Sequence, residues 1–165
     1  MFATSRFTLI FVIAALFTAL TTGCAGINVA NAVASVDAQT VTAQMQYVDG
    51  SEVGPLYNMS VTVPAEWVGT FETRSEGNTL YFDFVTESGT PAQIFFIEAL
   101  SPSQYWKQAG AHPGSYVNIV NRGDTYFTYY LPVDSYYSGL SKEQFTPFAE
   151  AVPGIVASFD ASATN

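Results

Sequence analysis

The chain has one cysteine, Cys24, and one histidine, His112, among its 165 residues. Without a second cysteine no disulfide can close within the chain, so stability has to come from a packed core. One histidine and one cysteine do not furnish the three or four ligands of a usual zinc site. Basic residues are scarce: five Lys and Arg face fourteen Asp and Glu, a net charge of −9. Phosphate backbones repel a chain of that sign, which argues against nucleic acid as a partner. The acids are scattered singly, as on a solvated surface, and are not clustered as a calcium loop requires. No glycine-rich phosphate loop follows a strand pattern, and no internal repeat is evident. The residues therefore point to no cofactor and no metal.

Catalysis finds little support. A hydrolase triad can be written from His112, one of several serines and Asp124 or Asp134. However, His112 lies in the loop AGAHPGS with no nucleophile elbow or spacing to place it, and a general base needs a placed partner. Arg122-Gly123-Asp124 spells a short adhesion tripeptide, yet glycine after polar residues is also what a hairpin tip demands.

What the chain does have is an apolar start. Arg6 is the only charge before the run from Phe7 to Leu20. That run has the length of a signal-peptide core and is short for a bilayer span. The small residues Thr21, Thr22, Gly23, Cys24, Ala25 and Gly26 follow. A small residue before cysteine at the end of such a run resembles the bacterial lipobox, with Thr21 in place of its usual leucine. The resemblance implies a diacylglyceryl group on the Cys24 thiol and cleavage just before it. Several acyl chains, at about 0.8 kcal/mol per buried CH₂, would anchor the protein durably to a membrane. Two other readings remain: a secretory signal cleaved near Ala30-Asn31-Ala32, or an uncleaved anchor helix. Cleavage before Cys24 removes Arg6 and takes the net charge from −9 to −10.

Four segments are expected: a signal peptide over 1–23, a lipidated flexible tether over 24–45, one folded domain over 46–160 and a tail over 161–165. The tether is small and polar, although a short strand or helix between 33 and 45 is compatible with it. Inside the domain the period is mostly two. Met59, Val61 and Val63 alternate with Ser60 and Thr62 up to Pro64. Residues 70–73 and 80–85 predict further strands, joined through Glu76-Gly77-Asn78. QIFFIEAL (93–100) reads as a central strand buried on both faces. Ser101-Pro102-Ser103-Gln104 starts a helix with a capping box. Strands follow at 116–120 and 125–131. Ser141 and Gln144 cap a last helix whose apolar stripe includes Phe145, Phe148, Val152, Ile155 and Val156. Pro147 and Pro153 predict that it is kinked or split in two. The fold class is α+β, an antiparallel sheet with helices packed on it.

YNMSVTVPAEWVG (57–69), QIFFIEAL with YWKQ, YFTYYLPVD (126–134) and FAEAVPGIVASF (148–159) resemble the PsbP-like family across roughly 47–160. The resemblance implies an α/β/α sandwich and a binding or assembly protein without a shared catalytic site. Fold alone does not carry function.

Tyrosines supply the candidate contact surface. On a strand, Tyr126, Thr128 and Tyr130 share one face, while Phe127, Tyr129 and Leu131 share the other. One face is core; a terminal helix is expected to cover the other, and if it does not, Tyr130 offers contact area. Tyr136 and Tyr137 lie in the following loop and are expected to be accessible. The expected function is a non-catalytic binding or assembly module. It would be held by a lipid anchor on the extracytoplasmic side of a bacterial envelope and would meet an envelope protein. The alternatives are a carrier of a small apolar or sugar ligand between sheet and helix, and a hydrolase.

Overall fold

The computed structural model describes residues 37–86, 89, 91–111 and 116–164. Ten strands and two helices follow in the order β1 (Gln39–Met45), β2 (Val48–Asp49), β3 (Glu52–Val53), β4 (Tyr57–Val63), β5 (Phe71–Glu76), β6 (Thr79–Val85), β7 (Pro91–Leu100), α1 (Pro102–Ala111), β8 (Tyr116–Arg122), β9 (Thr125–Tyr130), α2 (Lys142–Ala157) and β10 (Asp160–Ala163). All strand pairs are antiparallel. They form a five-stranded sheet ordered β5-β6-β7-β9-β8, a three-stranded sheet ordered β1-β4-β10 and the β2–β3 hairpin. The fold is α+β.

The alternation read from the sequence is realised in β4. Tyr57, Met59, Val61 and Val63 are buried, and Pro64 follows the last paired residue. Their side chains meet Leu80, Phe82, Phe95, Ile97, Ala99 and Phe127 from the inner face of the large sheet. Phe148, Val152, Ile155 and Val156 of α2 close the same core. Burying each such side chain contributes on the order of 1.5–3 kcal/mol.

In β7 the apolar run is accommodated by a bulge. Phe82 pairs with Phe95 and Asp83 with Gln93, so Ile94 is the extra residue and both Ile94 and Phe95 turn inward. The strand is central, as expected, but not buried on both faces. Phe96 and Glu98 look to the outer face and are only half-buried. Among the described residues, α1 reaches that outer face at the end near Leu100 and Tyr126, where Tyr105 stacks on Tyr126 with ring centroids 4.5 Å apart.

Two boundaries differ from expectation, and the last helix is not split in two. Gln39–Met45 forms a strand rather than the end of a tether, because Val41 and Met45 bury against β4's partner face. Asp160–Ala163 forms a strand rather than a tail, with Ala161 buried opposite Met59. The last helix is a single sixteen-residue element despite Pro147 and Pro153. Both prolines are exposed, and each removes one backbone donor from the helix. Its capping box is present: Ser141 Oγ accepts the Gln144 amide and Gln144 Oε1 accepts the Ser141 amide.

Candidate functional site

The expected contact tyrosines fall into two separate groups. Beyond β9 the Asp134 carboxylate accepts the Tyr136 amide at 2.9 Å and caps a 3-10 turn over Ser135–Tyr137. Ser138 closes the turn, donating its hydroxyl to the Ser135 carbonyl at 2.8 Å. Leu140 then drops into a small apolar cluster with Phe145 and Ala92. A turn fixed at both ends thus presents Tyr136 at 84 % and Tyr137 at 66 % exposure, their rings edge-on at 5.3 Å.

Tyr130 belongs to the outer face of the large sheet. Register places Arg74, Tyr81, Phe96, Tyr130 and Tyr116 in one row across five strands. The Arg74 guanidinium lies 3.7 Å over the Tyr81 ring. Ring centroids then follow at 5.5 Å (Tyr81–Phe96), 5.0 Å (Phe96–Tyr130) and 5.2 Å (Tyr130–Tyr116). The Phe96 and Tyr130 planes differ by only 19°. Rings stacked along the strand-to-strand direction occupy one another's faces and present edges outward. Among the described residues no helix covers this face at the row; α2, the terminal helix expected there, packs against the inner face instead.

Sequence reasoning missed Glu98, the single acid within QIFFIEAL. Its neighbours in register are Thr79 and Thr128. The Thr79 hydroxyl donates to Glu98 Oε1 at 3.2 Å. Glu98 Oε2 and the Thr128 hydroxyl are buried with no hydrogen-bond partner among the described residues. Burial raises the Glu98 carboxyl above its ordinary value, against a smaller opposing effect of the Thr79 hydrogen bond. The nearby Tyr116 hydroxyl is pushed up to about 12, by burial first and then by the charge of Glu98. An open groove of about 440 Å³ adjoins Glu98 and is lined by Asn78, Leu100, Gln104 and Lys107 among others.

The space between the large sheet and α2 is filled. A cavity of about 10 Å³ remains among Trp67, Phe71, Phe82, Phe95 and Phe148, whereas ligand pockets run to roughly 300–1,000 Å³. A carried ligand has no room there. Among the described residues, no three His, Cys, Asp or Glu come together as a metal site, and no helix is long and apolar enough to cross a membrane. Cys24 and His112 lie outside the described residues, so the anchor and the triad are not addressed by this geometry. Arg122-Gly123-Asp124 is a turn: Gly123 has φ +57°, and Arg122 Nε donates to the Ala161 carbonyl at 3.2 Å.

Compared with known protein families, curated proteins and solved structures, the chain matches none.

Proposed function

We propose that the chain is a lipid-anchored, non-catalytic binding or assembly module of a bacterial envelope, with a PsbP-like domain presented on the extracytoplasmic side by a tether from Cys24. The observation that carries the binding reading is the Tyr136–Tyr137 pair. Two large amphipathic side chains stand in solvent on a turn held by Asp134 and Ser138. Rigid exposed tyrosines lose little conformational entropy on docking and are enriched at binding hot spots. The aromatic edge that includes Tyr130 adds a second contact surface. The partner is an envelope protein, and the net charge of −9 favours a neutral or basic surface on it.

Capture from membrane extracts, comparing the wild-type chain with Tyr136→Ala/Tyr137→Ala, tests the binding reading. A specific partner retained by the wild type and lost by the double variant supports it. Equal capture by both defeats the assignment to this turn. The anchor is tested separately: Cys24→Ala should release the protein from the membrane or leave it unprocessed, and normal processing with normal membrane association would refute lipidation.

A further inference from the structure

The two edges of the five-stranded sheet differ in kind. At one edge β5 carries Glu72, Arg74 and Glu76, with Arg74 paired to Glu76 at 3.0 Å and Asp83 at 2.7 Å. Charges spaced along an edge discourage the addition of another strand. At the other edge β8 reads YVNIVNR. Residues 116–121 contain no charge and no proline, and Val117, Ile119 and Val120 favour extended backbone. One side of β8 pairs with β9. On its other side, among the described residues, nothing is hydrogen-bonded to the backbone of 117–121. Unpaired N–H and C=O groups along a strand are a template for another extended chain.

A second observation falls at the same place. A groove of about 330 Å³ adjoins β8 and α2, lined by Ile119, Val120, Tyr129, Pro153, Val156 and Phe159 among others. Val117, 41 % exposed, pairs with Tyr129 and so shares its face of the sheet. A strand added to β8 would set every second side chain on that face, over the groove.

We propose that β8 and this groove form a strand-addition site for an extended segment of another protein, which pairs with residues 117–121 and seats an apolar side chain against Ile119, Tyr129 and Phe159. The segment is neutral or basic: a chain of net charge −9 repels an acidic one, and Arg122, the charged residue that lines the groove, is paired with Asp160 at 3.7 Å. The same net charge disfavours a second copy. So does the bulge at Ile119, since a symmetric pairing would set two bulges against each other. The site shares no residue with the Tyr136–Tyr137 turn and does not depend on the anchor.

The probe is a capped heptapeptide of one lysine followed by alternating threonine and valine, added to the isotope-labelled full-length chain. Amide exchange of residues 117–121 should slow about tenfold at saturation. N-methylating the peptide along its pairing edge should remove the effect, whereas N-methylating its opposite edge should not. Val117→Lys charges the edge, and Ala157→Phe fills the groove from α2. Each should weaken binding about tenfold, with exchange in β7 unchanged as a control of folding. Tyr136→Ala/Tyr137→Ala should leave peptide binding intact, which separates this site from the turn. Unchanged exchange at 117–121 under millimolar peptide, or equal binding of both N-methylated forms, would overturn the proposal. Protection that grows with protein concentration in the absence of peptide would also overturn it, in favour of a second copy.

Discussion

The Ser101 hydroxyl donates to the Asp49 carboxylate over 2.7 Å while accepting the Gln104 amide at 3.0 Å. One buried side chain therefore caps α1 and holds the β2–β3 hairpin. Gln104 completes the link, its Oε1 accepting the Ser101 amide and its Nε2 donating to the Val48 carbonyl at 2.8 Å. Ser101→Ala should destabilise the protein by about 2 kcal/mol, since it removes a cap and strips a carboxylate of its donor. Urea unfolding measures the loss. Amide exchange at Gly54, bonded to the Tyr47 carbonyl, should quicken while α2 stays protected.

Glu98 makes the fold sensitive to pH. Its carboxyl is raised above the ordinary 4.5 by burial. As pH rises past that value, the unfolded chain releases its proton first, the folded chain holds more protons, and stability falls until Glu98 itself ionises. Glu98→Gln should remove this slope. Relative to wild type, the variant should gain stability at neutral pH and gain nothing below pH 4.5, as read from denaturant midpoints.

Tyr116 should titrate late, because burial and the charge of Glu98 disfavour its phenolate. An unfolded tyrosine ionises near 10.0, whereas burial and the Glu98 charge push Tyr116 up to about 12. Stability should therefore decline as pH climbs between those values. Ultraviolet titration of the folded chain should show a late phenolate phase that is missing in Tyr116→Phe.

Gly54 is required by a neighbour rather than by its own backbone angles. A Cβ at this position would overlap the ring of Tyr47, which is 4 % exposed. Gly54→Ala should cost roughly 1–3 kcal/mol through displacement of that ring. In a Tyr47→Ala background the same change should be close to neutral. Equal costs in both backgrounds would refute the contact as the cause.

Much of the architecture is legible in residue alternation and caps. Met59-Ser60-Val61-Thr62-Val63 is β4, and the two Ser-x-x-Gln boxes start both helices. What escapes the sequence is whatever depends on partners far along the chain. β1 and β10 look like linker because Ala43 and Ala161 are small; they become strands by pairing with β4 on either side. The bulges at Ile94 and Ile119 break a period of two by one residue, so the apolar run of β7 imitates a strand buried twice over. For the candidate site, the exposure of Tyr136 and Tyr137 could be read from their loop. The in-register row through Tyr130 could not, because it depends on how five separate strands align. Glu98 carried a signal, an acid inside an apolar run, whose meaning depended on the partial cover of the outer face.

The three-stranded sheet sets an order of events. Its middle strand, β4, pairs on one side with β1, a near neighbour in sequence, and on the other with β10, where Tyr57 meets Ala163. Half of that sheet can close early, and the other half must wait for residues made more than a hundred positions later. Such distant pairings form slowly, since the loop has to close before the contact stabilises it. During synthesis one side of β4 thus stays an open strand edge until the last strand arrives.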